Sequence, residues 1–215
     1  MNCIVTAGPT YEPLDDVRRL TNFSTGRLGT ELANFLVARG HRVSLLISAQ
    51  ATYFGERQIQ RVEVFTTTTS LREKLQALPA KTVNAVFHTA AVCDFRFGRI
   101  RLQSPHGKLM EIKSKKIPTG GGALLVELLP TQKIIAQLRA WFPSAKLAGW
   151  KFEAEGKRAD AIHAAEQQLI QCLTDACVAN GPAYGEGFGL ITRSSHAHLA
   201  DPPKLFDALE RWMQA

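Results

Sequence analysis

The stretch CIVTAGPTYEPLDDVRRLTNFSTGRLGTELANFLVARG, residues 3–40, decides how the rest of the chain reads. Its apolar run Cys3 to Ala7 has the composition of a buried strand, and Leu28, Leu32 and Leu36 with Ala33 and Val37 keep helical spacing up to Gly40. A long polar loop separates the two. In α/β proteins such a loop lies where the first strand delivers its C-terminal end to a ligand, and the free N–H groups of the following helix attract phosphate. Ser24, Thr25 and Gly26 suit that work: two small hydroxyls donate to phosphate oxygens, and Gly26 and Gly29 allow close backbone approach. The competing reading is a surface connection capped by Ser24 or Thr25. Loops beyond ~12–15 residues with no structure of their own are usually functional or disordered, which favours a ligand.

Outward from this block, RVSLLIS (42–48) and VEVFT (62–66) read as strands, and Leu71, Leu75 and Leu78 form the stripe of a short helix ending at Pro79. VNAVFHTAAV (83–92) is a fourth strand with a small-residue exit. This alternation predicts a parallel sheet covered by helices. From Cys93 to Gly122 no clean period survives, so a mobile flap is expected over about 95–122, with a disordered insert as the alternative. ALLVELLP (123–130) then reads as a strand, Thr131 to Trp141 as a helix and AKLAGWKF (145–152) as a strand. Lys157 to Leu173 follows as a helix, DACVANG and GFGLITRSS as closing strands, and the segment from Pro202 as a terminal helix. The expected architecture is one α/β, Rossmann-like domain over 1–215: a mostly parallel sheet, helices on both faces, and the flap.

Composition narrows the function. The chain has 215 residues, 45% hydrophobic and 21% charged, and a formal charge of +7 spread along its length with one tight basic cluster, Lys113 to Lys116. That pattern favours anionic small molecules over nucleic acid. Cys3, Cys93, Cys172 and Cys177 show no metal-binding spacing and read as reduced core residues. With no leader pattern and no apolar run near ~18 residues, a cytoplasmic protein without membrane contact is expected.

Common chemistries fail on their own signatures. A dinucleotide dehydrogenase needs G-x-G-x-x-G tight against the first strand, whereas Gly8, Gly26 and Gly29 are widely spread. There is no G-x-S-x-G elbow and no histidine triad pattern. His88 ends an apolar strand and reads as interior, and Asp15 and Asp16 could hold magnesium beside phosphate or simply be solvated. What remains is a backbone loop, amides and cations without a built-in nucleophile. Such equipment suits substrates that react with each other once aligned, with phosphoryl charge neutralised by Lys, Arg and Mg²⁺.

TAGPTYEPLDDVRRLTNFSTGRLGTELA (6–33) closely resembles the signature block of phosphopantothenoylcysteine synthetase, the phosphopantothenate–cysteine ligase of coenzyme A biosynthesis. HTAAVCDF (88–95), KKIPTGG (115–121), LLPTQKII (128–135), AGWKFEAE (148–155) and DACVANG (175–181) resemble further family segments in family order. The resemblance implies that the carboxylate of 4'-phosphopantothenate attacks the α-phosphate of CTP, or of ATP, with Mg²⁺. Cysteine then displaces the nucleoside monophosphate to form the amide. It further implies Asn22, Arg18 and the flap lysine Lys116 as catalytic, with Lys113 and Lys115 as rivals for the last role. Gly8, Ser24, Thr25 and Gly26, then Ala90, Ala91 and Asp94, are placed along the nucleotide. Thr131, Gln132, Lys133 and Ile134 offer N–H groups at a helix start, and Trp150 lies near the base.

The resemblance implies a homodimer. In many bacteria the unit follows a flavin-dependent decarboxylase; because the signature here begins near residue 3, no flavin is expected, and a separate decarboxylase is a possible partner. There are departures: Gln168 and Cys172 stand where CTP-using members carry lysines, and Gly181 replaces an aspartate, which leaves the choice of CTP or ATP open.

Overall fold

The computed structural model describes residues 1–104, 106–118 and 122–215. Strand β1 (Asn2–Ala7) is followed by a small hairpin, β2 (Tyr11–Pro13) and β3 (Arg19–Thr21), then by helix α1 (Arg27–Ala38), β4 (Arg42–Ser48), β5 (Arg61–Phe65), α2 (Thr68–Gln76) and β6 (Ala85–His88). Three strands come next: β7 (Phe95–Gln103), β8 (Leu109–Glu111) and β9 (Ala123–Pro130). The second half carries α3 (Leu138–Trp141), β10 (Lys146–Phe152), α4 (Arg158–Cys172), β11 (Ala176–Asn180), β12 (Phe188–Thr192), β13 (His196–Leu199) and α5 (Pro202–Gln214).

Eight strands form one sheet in the order β13-β12-β11-β10-β6-β1-β4-β5, parallel from β5 through to β11. β12 and β13 close it antiparallel. The order reverses between β1 and β6, because α1 carries the chain from β1 to β4 on one side and the chain returns past β1 to build β6 and β10 on the other. At such a switch point the loops leaving adjacent strands diverge and leave a crevice.

Both faces of the central strands are covered, so these strands read as unbroken apolar runs rather than alternating ones. Val5, Leu45 and Ile47 pack under Leu32 and Leu36 of α1 and Leu205 and Leu209 of α5. The opposite residues Ile4, Leu46, Val86 and Leu147 meet Leu71 and Leu75 of α2 and Leu138 of α3. α4 contributes small residues, Ala161 and Ala165, against Cys177 and Ala179 of β11. No described helix is long and apolar enough to cross a membrane.

Four local expectations are corrected. The loop after β1 has structure of its own: Tyr11 pairs with Thr21 and Pro13 with Arg19. The flap is an antiparallel sheet, β8-β7-β9, so ALLVELLP belongs to it and not to the main sheet. Alternation in β7 was masked by an irregularity between Phe97 and Ile100, which shifts the apolar phase from Phe95 and Phe97 to Ile100 and Leu102. Of the expected flap, residue 105 and residues 119–121, which include the end of KKIPTGG, lie outside the described residues.

The third correction concerns residues 131–133, which are not helical. The Thr131 N–H donates to the Asp94 carbonyl at 2.8 Å, prolonging the flap ladder, and Lys133 is extended with ψ 102°. A 3₁₀ turn begins only at Ile134, ahead of α3. Finally, the edge strand β13 has the sequence HAHL, mostly exposed, which carries no hydrophobic signal.

Candidate functional site

The C-terminal ends of β1, β6 and β10 open into a cleft of about 1100 Å³ at the switch point. Its floor is made by the exits of β1 and β6, zipped together beyond the sheet: Ala91 N–H donates to Gly8 O at 3.1 Å and Thr10 N–H to Ala91 O at 3.0 Å. Ala90 lies beside them, its N–H on Thr6 Oγ1 at 3.2 Å. Beneath, His88 is buried with Nδ1 2.9 Å from Thr6 Oγ1, and burial pulls its pKa down to about 4. A neutral imidazole at neutral pH follows, consistent with an interior role although its edge borders the cleft.

One wall is the start of α1. Gly26 occupies the N-cap with φ 77°, left-handed backbone that glycine adopts without a steric penalty, and supplies no side-chain cap. Thr25 Oγ1 accepts from Arg27 N–H at 3.3 Å. The rest of the first turn has no capping acceptor from Gly26, so its N–H groups and the positive end of the helix dipole suit an anion. Ser24, Thr25 and Gly26 all line the cleft. Gly29 fixes the helix against the sheet, since a Cβ there would lie 2.3 Å from Thr89 Oγ1 and 2.7 Å from Ala7 Cβ.

The β2–β3 hairpin delivers Asn22. Thr21 Oγ1 donates to Thr10 O at 2.9 Å, and the next side chain, Asn22, donates through Nδ2 to Val92 O at 3.0 Å. Among the described residues its amide oxygen and remaining N–H have no partner, and they border the cleft. Asp94, Thr131, Gln132, Lys133 and Ile134 also line the cleft. Thr131 N–H is already used by the Asp94 carbonyl, so of the four N–H groups expected at a helix start this one is not free.

At the far end lies Trp150 on β10, whose indole Nε1 is buried without a partner among the described residues. Gln168 of α4 also borders the cleft and donates to Cys177 Sγ at 3.1 Å. Lys151 and Phe152, inside the AGWKFEAE segment but given no role there, are lining residues too, at the strand end they share with Trp150. Three cations border the space. Arg27 pairs with Glu31 at 2.7 Å and Lys151 with Glu153 at 3.1 Å, whereas Lys133 has no carboxylate partner among the described residues.

Two expected residues sit elsewhere. Arg18 does not line the cleft; its guanidinium bonds Asp15 and, through Nη2, Ile117 O at 2.7 Å. Lys116 is exposed and outside the lining, and Lys113 reaches Glu111 at 3.5 Å. The four cysteines are buried and unpaired, and burial pushes Cys3 to about 11 and Cys177 to about 12, so these two are inert thiols.

A doubly wound sheet with a glycine N-cap, amides and cations around its switch-point crevice defines an α/β domain whose open groups are chemically suited to anions. Over residues 1–207 the chain matches the family described as DNA/pantothenate metabolism flavoprotein C-terminal domain, and it belongs to that family. It is 33% identical over 178 residues to the coenzyme A biosynthesis bifunctional protein CoaBC of Thermococcus kodakarensis, covering 82% of this chain and 40% of that protein. The chain thus spans about two fifths of that relative's length. The fold is also that of the DNA/pantothenate metabolism flavoprotein from Streptococcus pneumoniae, with TM-score 0.84, 22% identity and coverage of 100% of this chain and 98% of that one. A Cab2 mutant in complex with phosphopantothenate-cysteine superposes with TM-score 0.70 at 18% identity, covering 99% of this chain and 87% of that one.

Proposed function

We propose that this cleft joins 4'-phosphopantothenate to L-cysteine through an acyl-nucleotide. The carboxylate attacks the α-phosphorus of CTP or ATP and pyrophosphate leaves. The cysteine amine then attacks the acyl carbon, the nucleoside monophosphate leaves, and the amide of 4'-phosphopantothenoylcysteine forms. Family membership supports the reading, as does the phosphopantothenate-cysteine bound by the fold relative Cab2.

The observation that carries it is a convergence of separate segments on one space. Asn22, the Ser24–Gly26 turn, the Ala90–Asp94 exit and Trp150 come from parts of the chain up to 128 positions apart, yet all line the same cleft. The first turn of α1 and Lys133 suit the phosphates, and the free N–H of Asn22 suits an acyl phosphate oxygen. Asp94 is a carboxylate lining the same cleft. No described cluster of three His, Cys, Asp or Glu could hold a metal. That donor set fits a magnesium ion carried by the triphosphate, since Mg²⁺ keeps several waters and needs one or two carboxylates beside phosphate. When bound, it would neutralise phosphoryl charge. Lys116 would add its ammonium from the flap.

The test is pyrophosphate release from purified protein with 4'-phosphopantothenate, CTP or ATP in parallel, with and without cysteine. Sustained release that requires cysteine is expected. No release with either nucleotide contradicts the assignment.

A further inference from the structure

The side chain of Asp15 is sealed from solvent, with 0% exposure, and its two oxygens do different work. Oδ1 closes the hairpin turn locally, accepting from Val17 N–H at 3.0 Å and Arg18 N–H at 2.8 Å. Oδ2 accepts from Arg18 Nε at 3.1 Å and from the N–H of Ile117, 102 positions away, at 3.1 Å. The same guanidinium donates through Nη2 to the Ile117 carbonyl at 2.7 Å. One ion pair therefore grips both backbone groups of a single flap residue. A neighbouring bond, Asp16 N–H to Lys115 O at 2.9 Å, anchors the residue two positions earlier.

A turn alone would need only Oδ1. The second oxygen and the arginine fork are spent on the flap, and the apolar side chain of Ile117, 2% exposed, is buried at the same place. The Arg18 guanidinium and the Ile117 N–H hold the Asp15 carboxyl far below the usual carboxylate range. Lys116 lies between the two anchored residues, and the same hairpin ends one residue before Asn22.

We propose that Asp15 and Arg18 are positioning residues: they form a seat that holds Lys115–Ile117 on the β2–β3 hairpin, and so keep Lys116 in fixed relation to Asn22. This rests on the ligase reading above, in which Lys116 meets phosphate. Neither residue of the pair needs to touch substrate.

The experiment compares wild type, Asp15→Asn, Lys116→Gln and the double variant. Asn at 15 keeps the turn acceptor but can present an N–H to Ile117 in place of an oxygen. Backbone amide exchange around residues 115–117, measured without substrate, should accelerate about 10-fold or more, a local opening comparable to the loss of one hydrogen-bonded charge contact. Turnover should fall about 10-fold, and the fall should vanish when Lys116 is already Gln, because Asp15 acts through it. Unchanged exchange in an active enzyme overturns the seat, and an undiminished effect of Asp15→Asn in the Lys116→Gln background overturns the positioning role. A wild type that releases no pyrophosphate overturns the ligase reading, while exchange still decides the seat. If Asp15→Asn does not fold, Arg18→Gln, which spares the Oδ1 turn bonds, is read by the same two measurements.

Discussion

Asn22→Ala should lower cysteine-dependent pyrophosphate release by about 10²-fold or more, the cost of removing one preorganised donor from a developing oxyanion. Asn22 follows the β3 strand, and its side chain makes one described bond, to Val92 O, leaving an amide oxygen and an N–H at the cleft. It is exposed and packs no core, so the thermal midpoint should stay within about 2 °C, as for surface substitutions worth under ~0.5 kcal/mol. Asn22→Asp should fail as badly, because it loses the donor and adds a charge that repels phosphate. Initial rates under saturating nucleotide, with calorimetry on the same samples, make the comparison. A normal rate in the alanine variant would remove Asn22 from the chemistry.

The second large effect is on stability. Gly29→Ala should destabilise the fold by about 1–3 kcal/mol, the usual cost of overpacking a tight contact, with a midpoint lower by roughly 2–10 °C. Position 29 lies on the face of α1 that meets β1, where an added Cβ would sit 2.3 Å from Thr89 Oγ1, 2.7 Å from Ala7 Cβ and 3.2 Å from Thr6 O. Thr89 Oγ1 cannot swing aside freely, since it donates to Thr6 O at 2.6 Å. Ala7 and Thr6 belong to the central strand, so relief requires α1 to lift and its N-terminus to leave the cleft. Nucleotide affinity should therefore fall along with stability. An unfolding midpoint equal to wild type would show that α1 has room the packing does not indicate.

What could be read from the sequence follows from how each element is stabilised. β1, β4, β6 and β10 are buried on both faces, so their stabilisation is their own apolar content and a local window finds them. α1 and α5 announce themselves through one apolar stripe each. β7 depends on partners: its phase break needs β9 opposite to make sense of it. Thr131 is tied to the flap ladder by the Asp94 carbonyl, a tertiary bond that no helical spacing at 134–141 could reveal.

The site divides in the same way. Ser24 to Gly26 were legible because a strand, a glycine-bearing turn and a helix are contiguous in sequence, and Asn22 because a motif names it. Gln168 was flagged as a departure from the family pattern, whereas Lys151 and Phe152 gain their place through the strand order, which brings β10 to the crevice between β1 and β6. Arg18 shows the limit of spacing: four residues from Asn22 in sequence, its guanidinium turns to the flap, where the sealed Asp15 carboxylate holds it.

The central claim is that a carboxylate oxygen becomes bonded to the α-phosphorus in this cleft. It is tested most directly by supplying 4'-phosphopantothenate with both carboxylate oxygens labelled as oxygen-18 and weighing the products. The account predicts one labelled oxygen in the nucleoside monophosphate and the other in the amide carbonyl of the product. Label found in inorganic phosphate, or a monophosphate free of it while amide accumulates, would contradict it.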